Sequence, residues 1–224
     1  MTDKKVALIG ASGFVGSAIL NELLNRGYQV EALVRQPEKI TITNAAFTVT
    51  KVDVADQQSL EAIIKGYDNV ISAYNPGWAT PNLYEDTLAN YPKILNAAKN
   101  AGVKRLLIVG GAGTLFVKPG VRLVDTGTLP AEWVPGVKSM GEFYLNTLMA
   151  ENDIDWVFFS PAGNLGDMGA NGPGKRTGVY RLGKDDMIFD ANGNSFISVE
   201  DYAKAMVDEL ATPAHHKERF TIGY

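Results

Sequence analysis

The sequence predicts an α/β fold: a doubly wound, mostly parallel sheet covered by helices on both faces. Three observations predict it. Short apolar runs alternate with amphipathic segments along almost the whole chain. A glycine-spaced turn, GASGFVG, joins the first apolar run to the first helical pattern. The 224 residues, 46% hydrophobic and 21% charged, suit one sizeable core and not a disordered chain. The expectation is a single domain over residues 1–224 with a small C-terminal lobe on the substrate side.

Val6–Ile9 reads as a short buried strand. Val15, Ile19 and Leu23, with Leu20 and Leu24, form one face of a helix that stops at Gly27. Tyr28–Arg35 and Phe47–Val54 read as the second and third strands. Ser59 is placed to cap a short helix carrying Leu60, Ile63 and Ile64, closed by Gly66. Asn69–Ala73 is the fourth strand. A long helix follows, with Tyr84, Leu88, Tyr91, Leu95 and Ala98 on one face, a kink expected at Pro92, and an end at Gly102. RLLIVGG is the fifth strand, a helix is expected from about Val137 to Glu151, and DWVFFSP is the sixth strand. Ser198 and Asp201 stand at capping-box spacing before the last helix, and RFTIG is a candidate final strand.

Composition sets further limits. There is no cysteine, so disulfides, thiolate nucleophiles and cysteine-ligated zinc are excluded. The two histidines, His215 and His216, are adjacent and read as a solvated loop, with metal binding as the remote alternative. A net charge of −4 argues against a nucleic-acid partner. No apolar run is long enough to span a bilayer, and MTDKKVALIG leads straight into a strand, so the expectation is a cytoplasmic chain without a membrane partner.

In a doubly wound sheet the ligand crevice lies beyond the C-terminal ends of the strands. The glycine turn falls there. Gly10 allows the tight turn, Gly13 lets backbone amides approach a pyrophosphate, and Gly16 lets the helix pack close to the sheet. The G-x-x-G-x-x-G spacing resembles the Rossmann-type short-chain dehydrogenase/reductase superfamily, and GASGFVG is typical of its extended and atypical branches. Ser12, Phe14 and Val15 complete the turn's candidate cofactor contacts. Arg35 ends the second strand, where an acidic residue would select NAD. A guanidinium there pairs with a 2′-phosphate, so NADPH is favoured over NADH, with Lys39 close enough to assist. The resemblance implies that Asp53 and Val54 meet the adenine; a turn-forming aspartate is the alternative for Asp53. Ala73, Tyr74 and Asn75 end the fourth strand and are expected near the ribose and pyrophosphate.

Classical members of that superfamily carry Tyr-x-x-x-Lys on the helix after the fifth strand. Here Lys138 holds a suitable place, but Val134 stands four residues before it. The superfamily's Ser/Thr after the fifth strand is also altered, with Gly111 and Ala112 there and Thr114 the nearest hydroxyl. The C-terminal third, with Pro161 after the sixth strand, TGVY at Thr177–Tyr180 and FISVEDYAKAM, resembles the atypical branch of NmrA-like proteins and biliverdin-IX-beta/flavin reductases. The resemblance covers nearly the whole chain. It implies that Pro161, Ala162 and Gly163 lie along the nicotinamide.

Reducing a simple ketone makes an alkoxide that needs a proton donor, whereas a flavin or quinone makes a delocalised anion that solvent can protonate. The missing tyrosine therefore points to hydride transfer from a nicotinamide cofactor to a flavin, a quinone or another conjugated acceptor, with Lys138 as the catalytic candidate and a solvated lysine as its alternative. The acceptor pocket is expected to be apolar. Tyr74, Pro76 and Trp78 follow the fourth strand, Leu115 and Phe116 the fifth, and Trp133 and Leu165 come from later loops. Ala170–Gly178 reads as a lid or a long surface loop. Two other functions fit the same residues: a non-catalytic NAD(P) sensor of NmrA-like type acting on a protein partner, and a sugar-nucleotide or carbonyl reductase or epimerase. No metal cluster or nucleophile elbow is visible.

Overall fold

The structure, a computed structural model, describes residues 4–166 and 175–224. The first strand, β1 (Lys5–Ile9), is buried beyond its first residue because all four remaining side chains are apolar. It leads into α1 (Phe14–Asn25), which ends as expected at Gly27, where φ is +74°. Next come β2 (Gln29–Val34), β3 (Phe47–Lys51), α2 (Gln57–Ile64), β4 (Asn69–Ser72), α3 (Leu83–Asn100) and β5 (Arg105–Val109). A short hairpin, β6 (Phe116–Lys118) and β7 (Val121–Arg122), precedes α4 (Val134–Asn146). The rest is β8 (Asp155–Ser160), β9 (Asn164–Leu165), β10 (Arg181–Gly183), β11 (Phe196–Ile197), α5 (Val199–Ala211) and β12 (Glu218–Gly223).

Eight strands form one sheet in the order β10-β12-β8-β5-β4-β1-β2-β3. Every pair is parallel except β10 with β12. Helices α1 and α5 pack together on one face, over a core with Leu8, Phe159, Tyr202 and Phe220. Helices α2, α3 and α4 cover the other, over Ile9, Tyr91, Phe143 and Phe158. This is the Rossmann-type architecture that the alternating pattern predicts. The chain leaves β1 for β2 and β3 on one side and returns through β4 and β5 on the other. The switch point therefore falls between β1 and β4, where a crevice opens at the strand ends.

Several local expectations change. The cap of α2 is Asp56, not Ser59: its carboxylate accepts from the Ser59 backbone N–H at 3.1 Å and from the Ser59 hydroxyl at 2.6 Å. Helix α3 continues through Pro92 as one element. Helix α4 starts at Val134, because Pro135 in its first turn needs no intrahelical N–H partner, and it ends at Asn146 before a 3-10 turn at Leu148–Ala150. Ser198 caps α5, accepting from the Asp201 N–H at 3.1 Å, but the reciprocal half of the box is not made. Asp201 is fully buried and instead accepts from the N–H groups of Thr177 and Gly178 and from the Tyr224 hydroxyl. It thereby holds the TGVY segment against α5.

The adjacent histidines are not a plain solvated loop. His215 stacks on Phe220 with ring centroids 4.1 Å apart, and its Nδ1 lies 2.8 Å from Glu209. His216 is exposed, with Nδ1 2.9 Å from Asp155. Among the described residues, no helix is long and apolar enough to cross a membrane.

Candidate functional site

The crevice at the switch point holds two cavities that share Gly13, Ala73 and Asn75, and so form two halves of one cleft. The smaller, of about 230 Å³, lies on the side of β2. The larger, of about 390 Å³, extends over the ends of β5 and β8 toward α4.

The glycine turn forms the wall between them. Gly10 has a φ of +79°, and a Cβ there would lie 2.6 Å from the Ala73 carbonyl oxygen. A Cβ at Gly16 would overlap the Gly10 carbonyl oxygen, so Gly16 supports the turn from beneath and lines neither cavity. Gly13 is the N-cap of α1, and no side chain caps the helix. The first-turn amides are therefore left for a ligand, and the helix dipole favours an anion there. These residues fit the pyrophosphate of a dinucleotide, since the glycines let the turn pack tightly on β4 and on α1 while the amides at the uncapped helix end stay open.

On the smaller side, Ser12, Val54 and Tyr74 line the cavity together with Arg35 and Lys39. The Arg35 guanidinium donates to the Pro76 carbonyl oxygen at 3.3 Å, spanning from β2 to the loop after β4. Among the described residues, no carboxylate lines this half. Glu31 is occupied by the hydroxyls of Thr48 and Thr50 on β3. Asp53 stays outside the cavity, and its carboxylate accepts from the Ala55 N–H at 2.9 Å. The turn-forming reading of Asp53 is the one the structure displays, and Val52 and Val54 on either side of it reach the cavity instead. Beneath the wall, Tyr74 is anchored twice: its hydroxyl accepts from Asn90 at 2.8 Å and its carbonyl accepts from the Tyr91 hydroxyl at 2.6 Å.

On the larger side the structure gathers Phe14, Val15, Trp78, Trp133 and Leu165 with Pro161, Ala162 and Gly163. The rings of Trp78 and Trp133 stand 5.9 Å apart at 41°. Phe14 and Trp78, each 42% exposed, rim the opening. Sequence reasoning missed the α4 wall. Beside Trp133, which was expected there, Gly136, Val137 and Met140 face the cavity at helical spacing, and that stripe was legible in the sequence. It also missed the floor. The loop Gly110–Gly113 passes so close to α4 that a Cβ at Gly113 would overlap the Val137 side chain.

Besides Gly16 and Asp53, three further predicted site residues lie outside both cavities. Lys138 is exposed and lines neither cavity, because it follows Val137 by one residue and the helix turns it away from the cleft. Leu115 is fully buried, and Phe116 sits on the β6–β7 hairpin, paired with Arg122. Both were expected at the end of the fifth strand, but β5 stops at Val109 and the glycine loop takes that place. The Thr114 hydroxyl also turns away, accepting from buried Arg219 at 2.7 Å. Arg219 in turn holds Asp185 and lies over the Tyr144 ring. The candidate lid Ala170–Gly178 falls largely in 167–174, outside the described residues; where it resumes, Arg176 pairs with Glu22 on α1.

Among the described residues, no ionisable side chain lines the larger cavity. Apart from the indole N–H groups of Trp78 and Trp133, its polar side chains are Asn75 and Thr87. Burial pushes the Tyr74 phenol above its ordinary pKa, and it belongs to the other half of the cleft.

A family model described as NAD(P)H-binding matches residues 10–213. The Uncharacterized protein YwnB of Bacillus subtilis (strain 168) is 39% identical over 220 residues, 97% of either chain. A solved protein from Bacteroides thetaiotaomicron, described as a candidate epimerase, is 57% identical with a TM-score of 0.91, covering 100% of this chain and 98% of its own. A candidate NADH-flavin reductase from Streptococcus pneumoniae is 34% identical with a TM-score of 0.79 over 98% of each chain.

Proposed function

The chain belongs to the NAD(P)H-binding family, and from that premise we propose that it is a reductase passing hydride from NADPH to a delocalised acceptor: a flavin, a quinone or another conjugated ring. When bound, reduced nicotinamide supplies the hydride. The protein's part is to bind, orient and exclude water. The first-turn amides of α1 hold the pyrophosphate, and Pro161–Gly163 flank the nicotinamide end. Arg35 and Lys39 supply positive charge where a 2′-phosphate would lie, which favours NADPH over NADH.

The observation that carries the acceptor class is the apolar half of the cleft, with Trp78 and Trp133 as flat walls and no ionisable group on its described surface. An alkoxide formed there would lack a proton donor; a delocalised anion can leave protonation to water. The name of the Streptococcus relative supports a flavin-class acceptor. Epimerase chemistry, which the name of the Bacteroides relative suggests, requires acid–base groups beside the substrate, and the larger half of the cleft offers none among the described residues.

The test is direct. Pure protein, NADPH and a panel of FMN, FAD and small quinones are mixed, and absorbance at 340 nm is followed. Consumption well above the uncatalysed rate supports the reductase. Tight NADPH binding without consumption across the panel favours a sensor instead.

A further inference from the structure

The larger half of the cleft carries no charged side chain among its described lining residues. Asn75 and Thr87 are mostly engaged: Asn75 Oδ1 accepts from the Gly77 N–H at 2.7 Å, and the Thr87 hydroxyl donates to the Leu83 carbonyl oxygen at 2.7 Å. The Asn75 amide NH₂ remains to donate to a neutral oxygen. No lysine or arginine lines the cavity among the described residues. Two cations outside the cavity are committed elsewhere, Arg176 to Glu22 and Arg219 to Asp185 and Thr114, and Lys138 on α4 is exposed and does not line it. Size adds a second constraint. Pockets that enclose a ligand run upward from about 300 Å³, and this half, at about 390 Å³, must take the nicotinamide end together with the acceptor.

We propose that the acceptor is an uncharged one- or two-ring quinone or enone lying against Trp78 and Trp133, and that acceptors bearing a phosphate, sulfonate or carboxylate on or near the ring are rejected. This rests on the reductase reading and narrows it, setting flavin nucleotides aside. An anion placed there would lose its hydration and gain no cation, whereas a neutral quinone loses little and gains aromatic contact. The reaction balances with one proton from water: quinone, NADPH and H⁺ give hydroquinone and NADP⁺. The hydride carries both electrons and one hydrogen, and the second hydrogen arrives as the solvent proton.

The discriminating pair is a naphthoquinone with a propionate side chain and its methyl ester, which share one ring and differ in charge. With NADPH, kcat/KM for the ester should exceed that for the propionate by at least about 10-fold. Quenching of tryptophan emission should give the same order of Kd, since Trp78 and Trp133 face the cleft while Trp156 is buried away from it. Met140→Lys, which places a cation in the cavity wall, should close most of the gap. Leu165→Lys serves the same purpose if the first variant melts early. Equal constants for the two quinones in both assays would overturn the charge rule and leave the reductase standing. If neither quinone nor any other acceptor were reduced while NADPH bound, the reductase reading would fall, and the quench titration would still decide the charge rule.

Discussion

The Tyr91 hydroxyl, on a side chain 1% exposed, lies 2.6 Å from the carbonyl oxygen of Tyr74 and donates to it. Burial, with a smaller contribution from neighbouring Tyr74, pushes the phenol far above its ordinary pKa, so it remains a donor at every working pH. The bond fixes the turn after β4 that packs against Gly10. Tyr91→Phe leaves that buried carbonyl short of a partner, and should cost about 1–3 kcal/mol in urea unfolding. NADPH affinity should drop as well. Unchanged values for both would show that the turn is held by other contacts.

Gly16→Ala tests the close approach of α1 to its own turn. In a free helix, alanine is better than glycine by about 1 kcal/mol. Here the added methyl overlaps the Gly10 carbonyl oxygen, so the sign should reverse, with lower stability and a displaced pyrophosphate site. A more stable variant with intact NADPH binding would contradict the contact.

If Arg35 pairs with a 2′-phosphate, as proposed, Arg35→Ala should weaken NADPH by about 10-fold or more while changing NADH little. Isothermal titration with both cofactors reads this. Equal losses would assign Arg35 to the shared adenosine and not to the phosphate.

Lys138→Ala should leave kcat/KM within about 2-fold of the parent, as expected for a surface substitution. A loss of two orders of magnitude would mean that α4 turns its lysine inward when cofactor binds.

Asp208 carries an acid-side stability term. Burial raises its carboxyl pKa, but hydrogen bonds from Lys204, Tyr180 and Arg26 outweigh this and bring it down to about 2, against an ordinary value of 3.8. A depressed carboxylate pKa stabilises the fold above the ordinary value, and the contribution is lost as pH falls toward the folded one. The carboxylate is 41% exposed, so Asp208→Asn should cost only about 1 kcal/mol at neutral pH. The gap between parent and variant should hold above pH 3.8 and close by about pH 2 in denaturant melts. A gap that widened in acid would refute the assignment.

Much was legible in the sequence by itself. Alternating apolar runs set the order of strands and helices, because burial imposes one periodicity on a strand and another on a helix. GASGFVG set the phosphate turn, since only glycine tolerates that φ and those contacts. Arg35 at the end of β2 was likewise fixed by its place on a strand of known direction. What the tertiary structure decided was which side chains meet across the cleft. Lys138 and Val137 are neighbours in sequence, yet a helix turns them about 100° apart, so one meets solvent and the other the cavity. Leu115, Phe116 and Thr114 follow β5 closely, but the route of the glycine loop hands the cleft to backbone and turns them toward Arg219, the hairpin and the core. Local pattern encodes elements; the partners of a side chain depend on how distant elements pack, and one residue of rotation exchanges a cavity position for a surface one.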